Sequence, residues 1–424
     1  EKGASIEEYN PLFKNRFSAA FNPAQRPTFE SLRVYTRFAF LLVLLFYSLN
    51  GEATAPKQVI EEILSYADIK IDGERPFDIK VHDSRFYERV LKDRSLGLGE
   101  SYMEGWWSVE SLDECMHKII GAKLSRRVKP TWAMIWNVIK AKFLNLQTKG
   151  TRSTRVIDVH YELGNDLYEL MLGSTMAYTC GYWKEAKTLD EAQIAKFDLI
   201  AKKLHLKKGM RVLELGCGWG GFAKYIAENY GVEVVAVNLS AKQVEYARKL
   251  CTGLPVKVQQ CDYREAVGIY DRVVSIGLLE HVGKKNYRNF MELVSHRLKE
   301  DGLALIHTIG RNTSSIVADA WISRYIFPHG HLPSIQQIGK SIEKLFVMED
   351  WHNFSASYDQ TLMAWFHNFD QNWEKIKYNY PEPFYNMWKY YLLSCAAAFR
   401  SRDIQLWQFV LSKNGVLGGY DSIR

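Results

Sequence analysis

Residues 211–221 read RVLELGCGWGG, and this stretch decides the fold. Arg211–Leu215 is an apolar-rich strand candidate entered from the Lys208-Gly209 turn. Four of the next six residues are glycine, and a helix pattern then runs to about Tyr230. A strand that ends in a glycine-rich turn and passes into a helix opens a nucleotide-type α/β sheet. Upstream, Thr188–His205 (TLDEAQIAKFDLIAKKLH) reads as a helix opened by a threonine and an early acidic pair. Downstream, strands are expected at Val232–Val237, Pro255–Gln260, Asp271–Ile276 and Gly302–Ile309. Helices are expected at Ala241–Cys251 and Lys284–Leu298. This alternation predicts a parallel sheet covered by helices on both faces, with right-handed crossovers and a ligand at the carboxyl ends of the strands.

The glycine loop fits two patterns. Gly216, Gly218 and Gly221 satisfy the GxGxxG dinucleotide fingerprint, while Glu214, Gly216, Gly218 and Gly220 satisfy the ExGxGxG pattern of S-adenosylmethionine (SAM) sites. A dinucleotide site needs an acid after the second strand to hold the ribose. Here that place reads Asn238-Leu239-Ser240. Asp262, just after the third strand, can accept from an adenine amino group. The balance favours a methyl donor over a nicotinamide, with a ligand-free structural turn as the bland alternative.

Few residues in this region are suited to chemistry. Glu280-His281 follows the fourth strand, where the ligand should lie, so Glu280 is a base or holds one; the alternative is a solvated loop acid. His307 lies inside the apolar strand LALIHTIG and can equally be a satisfied core histidine. Cys180, in AYTCGYWK, has no neighbour in sequence that would lower its pKa, so it reads as buried filler rather than a nucleophile. Tyr358 sits in a helix-like segment. Residues 351–410 carry 17 aromatics where the 13% average predicts about eight. Packed aromatic helices are the default there, and an apolar tunnel for a long ligand is the sharper reading.

The chain has 424 residues, 47% hydrophobic and 24% charged, which excludes disorder, collagen and coiled coil. Its six cysteines have no CxxC spacing, so neither a disulfide scaffold nor a zinc knuckle is expected, and no metal site. Net charge is +7, yet Cys115–Ile157 contains ten Lys or Arg and no acid, leaving −3 for the rest. In that belt Trp132, Ile135, Trp136, Ile139 and Phe143 recur at helical spacing. A basic helix with such a stripe fits an anionic membrane surface; a packed helix with a basic rim and a nucleic-acid contact are the alternatives. Phe38–Leu49 is an uncharged apolar run of twelve, short of the ~20 a spanning helix needs. Its length matches a signal-peptide core, but roughly 37 residues precede it, more than a usual signal n-region; an extension anchor, a buried helix and a start-site artefact stay open.

Together, GCGWGG, YTCGYWK, HYELGNDLY, GLLEHVG, LIHTIG, WISRYIFPHGHLPS, MEDWHNF, YDQTLMAW and FRSRDIQLWQ, with SLGLGESYMEGWW upstream, resemble the cyclopropane-fatty-acyl-phospholipid synthases over about Pro56–Leu411. The resemblance implies a class I SAM-dependent methyltransferase: a Rossmann-like sheet with helices on both faces, plus a smaller, mainly helical N-terminal domain. The implied divisions are an extension at 1–55, a lipid-associated domain at 56–130 and a basic amphipathic linker at 131–156. A catalytic domain at 157–424 follows, with a lid and acyl-chain insertion around 310–410. The implied reaction moves a methyl from SAM to a cis double bond of a phospholipid acyl chain; the cation loses a proton, a cyclopropane closes and S-adenosylhomocysteine leaves. Bound bicarbonate is the implied base, held by Glu280, His307, Tyr358, Ile309 and Cys180 through backbone N–H, with Gly277 nearby. SAM is implied at Tyr178, Thr179, Gly216, Gly218, Asn238, Leu239, Gln243, Asp262 and Tyr263, with Tyr161 near its amino-acid end. Asn238 stands where the family often has threonine, and either can bond a ribose hydroxyl. Thr179 replaces a common serine. His329 and His331 depart from the pattern. The implied partners are a bilayer of unsaturated phospholipid and a second copy through the N-terminal domain, with no nucleic acid. The implied place is the cytoplasmic face of the inner membrane. Related enzymes forming methyl branches, or methylating a small amine, are the competing activities.

Overall fold

A computed structural model describes residues 55–124, 165–314, 319–328 and 330–424. Tyr161, His329, the apolar run 38–49 and the belt beyond Leu124 lie outside the described residues. The N-terminal helices are α1 (Pro56–Ser65), α2 (Arg85–Asp93), α3 (Ser95–Met103) and α4 (Leu112–Gly121). A short antiparallel pair accompanies them, β1 (Lys80–Val81) with β2 (Trp107–Ser108). After α5 (Asn165–Leu172) comes α6 (Leu189–Lys203). Its start is set by a capping box: Thr188 Oγ1 accepts from Glu191 N–H, and the Glu191 carboxylate accepts from Thr188 N–H.

The central sheet then builds outward from the opening strand. Its elements are β3 (Arg211–Leu215), α7 (Gly221–Tyr230), β4 (Glu233–Asn238), α8 (Ala241–Leu250), β5 (Val256–Gln260), β6 (Tyr270–Ile276), α9 (Leu279–Val282), α10 (Tyr287–Arg297) and β7 (Leu298–Arg311). They are followed by α11 (Ala320–Tyr325), α12 (Ile335–Ile342), β8 (Val347–Asn353), α13 (Ala356–Ile376), α14 (Phe384–Arg400) and β9 (Ile404–Ser412). The strand order is β5-β4-β3-β6-β7-β9-β8. The first five pair in parallel, as expected from the alternation. The last two correct the all-parallel expectation: β9 runs antiparallel between β7 and β8. Its alternation was obscured because nearly all of β9 is buried, so both faces read apolar (IQLWQFVLS).

Strand order reverses between β3 and β6, so the glycine loop after β3 and the Gly277 turn after β6 meet at the switch point. One face of the sheet packs Val212, Val234, Val274, Leu305 and Val410 against α6, α7 and α8. The other packs Leu213, Val273, Ile306 and Phe409 against α10 and α12. A third apolar cluster joins α1–α5 to α13 and α14. It absorbs most of the aromatic excess: Trp365, Phe369, Trp388 and Phe399 are buried there, and Phe384 stacks on Trp388 at 5.4 Å. Trp321 of α11 meets Tyr390 at 4.6 Å and lies over Gly99 of α3, where a Cβ would collide with the indole.

Candidate active site

At the switch point, a cavity of about 230 Å³ is lined by Tyr178, Thr179, Gly216, Gly218, Asn238, Gln243 and Gly277 among others. Seven of the expected residues thus share one wall. The glycines divide by task. Gly218 has φ +55, and a Cβ there would meet no protein atom within 4 Å, so this position opens onto the cavity. Gly220 and Gly221 serve packing instead: a Cβ on Gly220 would press Ala247 of α8 at 2.9 Å, and one on Gly221 would strike the Thr175 carbonyl. Asn238 donates to Gln243 Oε1 (2.8 Å) and to the Gly218 carbonyl (3.3 Å), which orders the cavity floor. Leu239 beside it is 68% exposed. Asp262, one turn past β5, caps Arg264 N–H and pairs with its guanidinium at 2.8 Å, with Tyr263 following. Leu239, Asp262 and Tyr263 are not among the residues that line the cavity.

Of the second group only Gly277 lines this cavity. Glu280 on α9 is buried, and its Oε1 accepts the Ile309 N–H at 2.7 Å. Its Oε2 has no partner among the described residues. Burial pushes the carboxyl up to about 7 despite the Ile309 bond. His307 on β7 is 1% exposed; Nδ1 faces Gln408 Nε2 at 3.1 Å, while Nε2 has no partner among the described residues. Burial, then the fields of Lys196 and Lys203, holds the imidazole well below its ordinary pKa. The Gly277 N–H donates to the His307 carbonyl at 2.9 Å, and a Cβ on Gly277 would press Thr179 Cγ2 at 2.8 Å. Tyr358 on α13 stacks on Phe399 at 4.4 Å, and burial raises its phenol, with the Cys180 and Glu280 fields adding to the shift. Cys180 is fully buried and its thiol donates to the Gly181 carbonyl; burial raises its pKa, which excludes a resting thiolate. Thr361 of α13 holds this segment by accepting from Gly181 N–H (3.0 Å) and Trp183 Nε1–H (2.9 Å).

The structure adds residues that the sequence reading missed. Gln193 Nε2 donates to the Thr179 carbonyl and Lys196 Nζ to Thr179 Oγ1, both at 2.8 Å. Lys196 lines the cavity opposite Glu214; burial pulls its ammonium down to about 7 and pushes Glu214 up to about 8. Their signal lay in α6: Gln193, Lys196 and Lys203 recur at spacings of three and seven, placing polar groups on the buried stripe of the helix. A larger groove of about 500 Å³ between α10 and α12 contains none of the expected site residues.

Known proteins are similar to this chain in sequence and fold. The family model described as mycolic acid cyclopropane synthetase matches residues 148–409. The cyclopropane-fatty-acyl-phospholipid synthase of Escherichia coli (strain K12) is 49% identical over 362 residues, covering 85% of this chain and 94% of that protein. Among solved structures, the mycolic acid cyclopropane synthase CmaA1 complexed with SAH and CTAB superposes with a TM-score of 0.57 at 31% identity, covering 61% of this chain and 98% of that one. Coclaurine N-methyltransferase bound to N-methylheliamine and SAH gives 0.60 at 25% identity over 74% of this chain and 99% of that one. With a class I methyltransferase sheet, a glycine cradle at its switch point and these matches over most of its length, the chain belongs to the cyclopropane-fatty-acyl-phospholipid synthase family.

Proposed function

We propose that this chain converts cis double bonds of phospholipid acyl chains into cyclopropane rings, with SAM as donor and bicarbonate as base. The observation that carries the reading is two buried atoms with no partner among the described residues, Glu280 Oε2 and His307 Nε2: Glu280 follows the Gly277 turn, and the His307 carbonyl accepts the Gly277 N–H. One accepts and the other can donate, which is what a small protonated oxyanion requires. Bound in the cradle, the donor would supply an electrophilic methyl group, and bicarbonate would supply a base whose delocalised charge makes it a poor nucleophile toward that methyl. The Gly216–Gly221 turn brings backbone within reach of the donor, and Asn238 and Gln243 hold its ribose. Thr179 and Tyr178 shape the wall between donor and chain; the Tyr178 hydroxyl is tied to Tyr391 at 2.9 Å. An alkene is a weak nucleophile, so this placement at near-attack distance supplies much of the rate. Glu280 orients the oxyanion from Oε2 while Ile309 N–H fixes Oε1. His307, Tyr358 and the Cys180 backbone N–H complete its cage. The apolar shell of Phe354, Tyr358 and Phe399 keeps water from the developing cation, which would otherwise end as an alcohol.

The protein acts at a lipid surface in this reading. No helix among the described residues is long and apolar enough to cross a membrane. Lys and Arg within 118–155 dock it on anionic lipid at the cytoplasmic face, where SAM is made, each contributing on the order of 1 kcal/mol. Residues 56–130 form the lipid-associated part through which two copies pair. Neutralising the belt should weaken sedimentation with anionic vesicles and flatten its salt dependence; unchanged binding would remove the docking role.

The main test incubates the protein with SAM and vesicles of unsaturated phospholipid and weighs the acyl chains. A gain of CH₂ with loss of the alkene supports cyclopropanation. A gain with the alkene retained would assign methyl branching, and no gain with SAM still bound would favour an amine substrate. Glu280→Gln should retain SAM binding and lose turnover. Wild-type turnover in that variant would overturn the proposed base pocket.

A further inference from the structure

A line of buried polar groups leads away from His307, and the proposed chemistry leaves it unused. Three neighbouring strands place His307 (β7), Gln408 (β9) and His352 (β8) side by side in register. Lys203, fully buried on α6, reaches down onto this row. Its Nζ lies 3.0 Å from His352 Nδ1, 3.1 Å from Gln408 Oε1 and 3.6 Å from Asp350 Oδ2. Asp350 is in turn gripped by both terminal nitrogens of Arg424, at 2.7 Å each, and by the Ser422 hydroxyl at 2.8 Å. Asp350 and His352 sit on the edge strand β8, four strands from β3.

We propose that Gln408 is a positioning residue for His307: it holds the imidazole as the Nε2–H tautomer, with Lys203 setting the orientation of the Gln408 amide. The inference rests on the reading that the pocket receives an oxyanion. The logic follows from donor and acceptor inventories. Burial pulls Lys203 down to about 7, with the Asp350 carboxylate opposing the shift; as the ammonium held beside Asp350 it only donates, so the Gln408 atom facing it is the carbonyl oxygen. The amide NH₂ must then face the other way, where His307 Nδ1 sits at 3.1 Å. A nitrogen that accepts carries no proton, so in the neutral ring the proton is on Nε2. Nε2 is the buried atom with no partner among the described residues. Burial disfavours the charged imidazolium, so His307 presents one N–H to an incoming anion rather than a full charge. The opposite tautomer would turn a lone pair toward the anion. An amide in the middle of a central strand is costly to bury unless both ends are bonded. Here both ends are bonded, and an apolar residue would suffice if packing alone were required.

The test reads the tautomer directly. The full chain is labelled with ¹⁵N-histidine, and long-range ¹H–¹⁵N spectra of the protein and of His307→Gln identify the His307 ring. Gln408→Glu, Gln408→Leu and Lys203→Met are compared by the same spectra, and by turnover on dioleoyl phosphatidylethanolamine/phosphatidylglycerol vesicles with SAM. In the wild-type protein His307 should show the Nε2–H pattern. Gln408→Glu offers an acceptor to Nδ1, so the proton should move there and leave a lone pair on Nε2. Its kcat should fall on the order of 100-fold, with KM for SAM unchanged. Gln408→Leu and Lys203→Met should give mixed tautomers and intermediate losses. A wild-type Nδ1–H ring would overturn the inference. So would Gln408 variants that shift the tautomer at full kcat, or lose kcat with the tautomer intact. Wild-type turnover that is indifferent to bicarbonate in CO₂-depleted buffer would overturn the oxyanion reading instead, leaving the tautomer result to stand by itself.

Discussion

Glu280→Gln should make the folded protein more stable at the pH where it removes activity. The Glu280 carboxyl is buried, accepts the Ile309 N–H on Oε1 and has no partner for Oε2 among the described residues; burial outweighs its hydrogen bonds and raises it from 4.5 to about 7. The sign follows from proton linkage. Between these values the folded state holds a proton that the unfolded state has lost, so stability falls as pH rises through that window. Below about 4.5 both states are protonated and there is no penalty; above about 7 both are ionised and the penalty is complete. At roughly 1.4 kcal/mol per pH unit, that window corresponds to about 3 kcal/mol. A glutamine keeps the acceptor for Ile309 N–H and never ionises. The ligand-free variant should therefore gain on the wild type progressively from pH 5 to pH 8. For a chain of this length the gain should reach about 4 °C in Tm. Thermal melts of both proteins across that range, with SAM and bicarbonate removed, measure it as a difference. Glu214 and Lys196 titrate in both proteins and cancel. A difference that does not change with pH would mean the carboxyl is solvated in the folded state, and the desolvation argument for this site would fail.

Gly218→Ala should fold normally yet weaken S-adenosylhomocysteine binding by more than about tenfold, because its Cβ would enter the ligand's space at φ +55. Gly209→Ala, at φ +83 and also uncrowded, controls for backbone strain; equal binding by both variants in calorimetry would refute the cradle. Arg400 fixes α14 to α13 through a two-point bond with Asp359 (2.9 and 3.0 Å) and to α4 through Asp113 (2.8 Å). Arg400→Met should cost about 2 kcal/mol in denaturant unfolding, since it strands two part-buried carboxylates. Trp365→Ala should cost about 3–5 kcal/mol by the same measurement, because the ring is fully buried in the core shared by the N-terminal helices and α13–α14.

Much of this protein was legible before any coordinates. The strand Arg211–Leu215, the glycine turn and the Thr188 helix start depend on local rules: β-branched runs, φ > 0 at glycine, and side-chain caps. The parallel strands from Val232 to Ile309 follow from the same periodicity. Glu280 and Asn238 could be singled out because Asn238 ends β4 and Glu280 comes just past β6, at the strand ends where a doubly wound sheet binds its ligand. The antiparallel insertion of β9 was not legible, since a strand buried on both faces carries no alternation to reveal its neighbours. The row His307–Gln408–His352 was equally hidden: its members are about 50 to 100 residues apart in sequence and meet only through β-register. Lys196 and Lys203 could be noticed on α6 as misplaced polarity, but only the packing of that helix onto the sheet shows what each ammonium faces. Local chemistry determines which elements form and where a ligand can approach them. Long-range register and helix packing decide which buried polar groups share a bond, and so which proton each of them holds.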